Sequence, residues 1–167
     1  MNIFVLSEDP IEAANMMCDR HVLKMILESG QMLCAAHEPG TAPWKRTHYN
    51  HPCTVWTRAS TENYKWLAVH GLELCAEYTK RYGKRHKSED VLIWCAENIP
   101  ASVPEGKLTP FAVAIKNPIY HKETAVESYR AYYLGEKIRF ARWAHSESPK
   151  WWNAAVKQMN RLASSHL

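Results

Sequence analysis

The sequence predicts an all-α fold in a single compact domain of three long helices plus shorter ones, joined by irregular basic-aromatic loops. Three observations carry that prediction. Apolar residues recur at steps of three and four over long stretches. Gly and Pro cluster between those stretches and punctuate them. Runs that alternate apolar and polar at period two, the mark of a strand, are nearly absent. The chain has 167 residues, 46% of them hydrophobic, which suits one domain with a sizeable core.

Residues 2–6 are a short apolar run, read as a buried extended segment or a first turn. Pro10 behind Ser7, Glu8 and Asp9 marks a helix start. A helix follows over residues 11–37, with a break near 15–18. Val22, Met25, Ile26, Ser29 and Leu33 share one of its faces, and His21, Lys24, Glu28 and Gln31 share another. Glu38, Pro39 and Gly40 stop it. Residues 39–53 form a loop with Trp44, Lys45, Arg46, His48, Tyr49 and His51. A second long helix is expected over residues 54–82, with Trp56, Ala59, Asn63, Trp66, Leu67, Leu74, Cys75 and Tyr78 in step, closed by Gly83. A short helix spans 89–97. Residues 98–118 carry four prolines and read as loop. A third long helix is expected over 121–143, with Val126, Tyr129, Tyr133, Ile138 and Phe140 inward. Ser148 and Pro149 open a last helix to about residue 164. Trp143, Trp151 and Trp152 are expected to pack it.

Charge and cysteine content narrow the classes. Lys and Arg number 21 against 17 Asp and Glu, a net +4, which permits a nucleic-acid partner without demanding one. Seven Trp and eight Tyr supply core and also platforms on which bases stack. The five cysteines (Cys18, Cys34, Cys53, Cys75, Cys95) are odd in number and widely spaced, as reduced thiols in a cytoplasmic protein are. The N-terminus has neither a basic leader nor a membrane span. The expectation is a monomer in the cytoplasm, or in the host cytoplasm if viral.

His21 and Glu28 lie two turns apart, about 10 Å along the helix axis, with Lys24 between them. On spacing alone this stripe is either a solvated face or a site. The run from His51 through Trp56, Arg58, Asn63, Tyr64 and Trp66 is either a loop–helix junction with core aromatics or a pocket wall. In the second reading Asn50, His51 and Arg58 touch a nucleic-acid backbone or a flipped base. His37, His48, His51 and Glu28 are the candidate ligands of a metal, but no spacing enforces that set. No metal or organic cofactor is expected.

The block Cys18, Asp19, Arg20, His21, Val22 and Leu23, followed by Glu28, resembles the pyrimidine-dimer DNA glycosylase family. That family carries a His and, seven residues later, a Glu on its first long helix. The start Met1, Asn2, Ile3, Phe4 is similar to family N-termini. Glu73 to Arg81 resembles the end of its second helix, and Ser128 to Lys137 its aromatic, basic C-terminal stretch. The resemblance spans residues 1–137, and 138–167 form a helical extension without counterpart. It implies a DNA glycosylase with AP-lyase activity whose nucleophile is the α-amino group of the first residue, with the helix-borne Glu as acid/base partner.

These roles fall on Met1 and Glu28, with His21 positioning the sugar or binding a phosphate. Asn2 is bulky, so the initiator Met is expected to be kept. An α-amino group titrates near 7.7–8.0 and a lysine near 10.4, so roughly a tenth of such amines are free base at neutral pH. The implied partner is double-stranded DNA carrying a lesion or a modified pyrimidine. The family's phage member has arginines beside the Glu. Here Leu27 and Gln31 are the neighbours, and Lys24 is the one nearby helix cation in this reading. The implied DNA contacts are Asn2, Lys24, Gln31, Lys45, Arg46, His48, His51, Arg58, Tyr129, Arg130, Tyr132 and Tyr133. A non-catalytic DNA-binding protein of the same fold and a metal-dependent hydrolase are the alternatives.

Overall fold

The computed structural model describes residues 1–165, and among them it holds seven α-helices and no strand. These are α1 (Pro10–Met16), α2 (Asp19–Ala35), α3 (Pro52–Thr57), α4 (Thr61–Tyr82), α5 (Glu89–Glu97), α6 (Ala125–Tyr132) and α7 (Lys150–Ser165). None is long and apolar enough to cross a membrane.

The expected break inside the first helical stretch falls at Met17 and Cys18, both extended. Asp9 caps α1 by accepting from the Ile11 and Glu12 amides. Arg81, near the end of α4, fastens the break. Its guanidinium donates to the Asn15 and Met17 carbonyls at 2.9 and 2.6 Å. It also pairs with Glu77 at 2.9 Å and Asp19 at 3.2 Å. α2 and α4 pack on each other, α1 lies on α4, and α5 covers both long helices. Gly83 ends α4 in the left-handed conformation, φ +70°, which glycine adopts without strain.

The first face of α2 singled out by spacing is buried, and the second is buried in part, with Lys24 exposed and Gln31 half-buried. Val22, Met25, Ile26, Ser29 and Leu33 enter the core, and so do His21 and Glu28. The solvated reading of the second face therefore fails for those two residues. Residues 3–6, an irregular segment no more than 6% exposed, are buried with them. Phe4 lies flat on His21 with ring centroids 4.2 Å apart, and Tyr129, Tyr132 and Tyr133 of the α6 region surround it.

Two expected helices are cut short. The stretch 54–82 divides into α3 and α4. Ser60 is extended and its hydroxyl accepts the Asn63 amide at 3.1 Å, while the Asn63 side chain holds the Trp56 carbonyl. Spacing alone could not show this cap, because Trp56, Ala59 and Asn63 stay in step across it. The stretch 121–143 holds only α6 and one turn of π-helix, Tyr133–Lys137. Thr124 caps α6 through the Glu127 amide. Beyond Ala141 the backbone bonds elsewhere. The Arg142 carbonyl accepts from the Asp19 amide, the Ala144 amide donates to the Asp19 carboxylate, and the Trp143 indole donates to the Met16 carbonyl. These contacts tie the C-terminal region to the α1–α2 break. Of the expected inward set, Tyr129 and Tyr133 are fully buried, and Val126, Ile138 and Phe140 half-buried.

Arg81→Ala leaves two carboxylates and two carbonyls without their partner. The expected cost is about 3–5 kcal/mol, roughly 10 °C in Tm for a chain of this size. Thermal unfolding followed by circular dichroism measures it, and an unchanged Tm contradicts the assigned role.

Candidate active site at the buried N-terminus

The site is built by folding the chain's first residue onto the middle of α2. Asn2 organises the turn. Its side-chain oxygen accepts from the Ile3 and Phe4 amides at 2.8 and 3.2 Å, and its side-chain nitrogen donates to the Ala114 carbonyl. Phe4 takes φ +56°, the left-handed region that a side chain disfavours by about 1–2 kcal/mol. Stacking on His21 and burial hold it there. The turn aims the backbone of residues 1 and 2 at Glu28. The Asn2 amide donates to Glu28 Oε1 at 2.9 Å, and the Met1 nitrogen lies 3.5 Å from the same oxygen. The Thr54 hydroxyl donates to the Met1 sulfur, fixing that side chain against α3. Glu28 is 8% exposed and has an ammonium and an amide for partners, so its charge is compensated within the fold.

These groups open onto a cleft of about 590 Å³. Met1, Asn2, His21, Lys24, Glu28 and Tyr132 line it, all residues that the sequence had singled out. Arg20, Lys116, Lys137, Phe4 and Phe140 line it too, and sequence reasoning missed them as site residues. Lys24 is thus accompanied by Arg20 on its own helix. Among the described residues none of the four cations, Arg20, Lys24, Lys116 and Lys137, is in an ion pair. The π-turn explains Lys137. Five residues apart, Tyr132 and Lys137 would diverge on an α-helix; the wider turn returns them to one face. The Lys137 ammonium stands 4.7 Å from the Tyr132 ring centre.

His21 is neutral in this setting. Burial, then the charges of Lys137, Lys24 and Arg20, push it down to about 3. Its Nδ1 lies 2.6 Å from the Tyr133 hydroxyl. It can therefore contribute a hydrogen bond or a flat surface to the cleft, but not a cation.

The other sequence candidates do not line the cleft, although His51 stands near enough to Met1 and Glu28 to feel their charges and Tyr133 touches His21 from behind. Gln31 is half-buried one turn beyond Glu28, and Lys45 and His48 are exposed. Arg46 and Arg58 stack on Tyr49 at 4.1 and 3.6 Å and donate to the carbonyls of His37 and Tyr49, over a separate cavity. His51 caps α3 by accepting the Cys53 amide, and burial followed by the Met1 ammonium lowers its pKa. Arg130 bonds the Leu6 carbonyl and faces Trp151. Tyr129 and Tyr133 have no exposed surface, so neither can stack on a base, contrary to expectation. Tyr129 instead accepts from the Ala114 amide and donates to the Ala112 carbonyl, holding the segment that carries Lys116. His37 is engaged with the Tyr64 hydroxyl, and the set His37, His48, His51 and Glu28 is not assembled. Among the described residues no three His, Cys, Asp or Glu side chains gather to hold a metal.

The pyrimidine dimer DNA glycosylase family matches residues 1–90. That segment contains Met1, His21, Glu28 and the basic loop, and ends before α6. No curated protein and no solved structure matches the chain.

The lowered His21 pKa sets a pH dependence. Unfolded, its imidazole binds a proton below about 6.5; folded, only near 3. The unfolded state therefore gains protons first as pH falls. Stability is unaffected above that window, drops through it by up to about 1.4 kcal/mol per pH unit, and levels off below it. His70, lowered to about 4 by burial, adds to the same loss. Denaturant unfolding from pH 7 to 4 should show a shallower decline for His21→Gln than for the parent. Parallel declines contradict the assignment.

Proposed function

Since the chain belongs to the pyrimidine dimer DNA glycosylase family, we propose that it is a DNA glycosylase and AP lyase acting on damaged or modified pyrimidines through the α-amino group of Met1. The observation that supports this reading most is the 3.5 Å approach of the Met1 nitrogen to Glu28, in a cleft lined also by Glu136 and edged by four cations that have no ion-pair partner among the described residues. A carboxylate beside an amine serves two purposes. It accepts the proton the amine must lose to become a nucleophile, and it steadies the positive charge that develops at the sugar.

The steps follow from those roles. The Met1 nitrogen attacks C1′ of the target deoxynucleotide. The C1′–base bond breaks, and the base leaves with the electron pair and takes up a proton. The amine gives its proton to Glu28, the C1′–O4′ bond breaks with O4′ taking up a proton from Glu28, and a C1′=N iminium forms on the opened sugar. Loss of a C2′ proton then expels the 3′ phosphate, cutting the strand. The product is released when water hydrolyses the iminium and frees the amine. Arg20, Lys24, Lys116 and Lys137 supply positive charge for the phosphates on either side of the target. Tyr132 and Phe140 offer ring surface to a nucleotide moved out of the duplex, which is cheapest where pairing is already poor.

Borohydride reduces the iminium and traps protein on DNA. Abasic and pyrimidine-dimer duplexes should give such an adduct with the parent. Glu28→Gln should slow trapping about 10²–10⁴-fold, and acetylating the α-amine should abolish it. Salt-sensitive duplex binding without any adduct would instead make the protein a non-catalytic DNA binder.

A further inference from the structure

α7 lies wholly outside the family match. Its sixteen residues contain three cations, Lys150, Lys157 and Arg161, and no carboxylate. At 3.6 residues per turn the three fall within about 40° of one another around the helix. They are spaced about 10 and 6 Å along it. Asn160 and Ser164 flank them, and all five side chains are exposed. Among the described residues none of the three cations is in an ion pair.

The opposite side of the helix is already committed at its base. Trp152 is 8% exposed and packs on Trp143 and Tyr133 at 5.0 and 6.3 Å, and Trp151 receives the Arg130 guanidinium at 5.1 Å. Through Tyr133, whose hydroxyl touches His21, this anchor fixes α7 relative to the cleft. The base of α7 is therefore anchored, and the cationic stripe runs outward from it on the exposed side.

We propose that α7 is a second DNA-contact element that binds the phosphate backbone of duplex away from the target nucleotide. This rests on the DNA-directed reading of the cleft. The three cations span about 16 Å, the length of about five base-pair steps. Positive charge without a single acid suits a polyanion, and the interleaved Asn and Ser add neutral hydrogen-bonding groups for phosphate and sugar oxygens. A lipid surface fits less well. The two bulkiest apolar residues of α7 are packed against the body, leaving Met159 and Leu162 to insert. A second copy meeting this face would bring like charges together.

The test uses fluorescence anisotropy with an undamaged duplex and the full chain. Lys157→Gln combined with Arg161→Gln should weaken binding about fivefold or more at ~0.1 M salt, and lower the slope of log Kd against log salt by about 1.8. Lys84→Gln combined with Lys87→Gln removes equal charge from the turn after α4 and should leave Kd and slope near the parent's. If the α7 variant matches the parent, or both variants shift alike, the inference is overturned while the cleft reading stands. If the α7 variant loses binding to phosphatidylserine vesicles and keeps its duplex affinity, the helix belongs to lipid and the inference is overturned. If the parent itself does not bind duplex, the DNA reading fails at its root.

Discussion

Glu28 does not stand free on its helix; it is buried and answered by the chain's own beginning. A carboxylate shut away from water must find hydrogen-bond donors or take up a proton. Here the first peptide N–H donates to one oxygen and the terminal amine pairs with that same oxygen. Much of the surrounding structure serves that meeting. Asn2 shapes the turn, Phe4 accepts an unfavourable backbone angle, His21 gives it a flat neighbour, and Tyr129 holds the loop segment Ala112–Ala114 on the far side. The terminal residue of a chain is ordinarily among its least ordered parts. In this fold residues 2–6 are core, so the amine is held to within a hydrogen-bonding distance or so of its partner.

The same economy appears at the α1–α2 break. Arg81 from one side and residues 142–144 from the other hold it. The break lets α2 start with Arg20 and His21 at the cleft, while α1 packs on α4. The π-turn after α6 has a comparable effect, because it puts Lys137 on the face of Tyr132. Irregular backbone is concentrated where side chains have to be aimed.

How much of this the sequence displayed depends on the range of the interaction. Periodicity displayed the core face of α2 and most of α4, since those rest on neighbours three and four residues away, and Ser148 and Pro149 marked where α7 begins. It did not display the split at Ser60, where spacing continues through a cap. Nor did it show the end of the α6 region, because the groups that halt it, Asp19 and Met16, lie more than a hundred residues earlier. The candidate site followed the same rule. Met1, His21, Lys24 and Glu28 came from a motif at the chain's start. Lys116, Lys137 and Phe140 could not, because only the tertiary fold brings residues 114–117 and 132–140 beside α2. The basic loop, prominent in sequence, mostly spends its arginines on Tyr49 and backbone carbonyls.

On the proposed reading, of the amines around the cleft, the one held against Glu28 is the nucleophile. Lys24, Lys116 and Lys137 line the same cleft and carry primary amines of their own. Peptide mapping by mass spectrometry of a borohydride-reduced adduct with abasic DNA separates them. The account predicts the sugar remnant on the α-nitrogen of the peptide that begins at Met1. A remnant on the side chain of Lys24, Lys116 or Lys137 would contradict it.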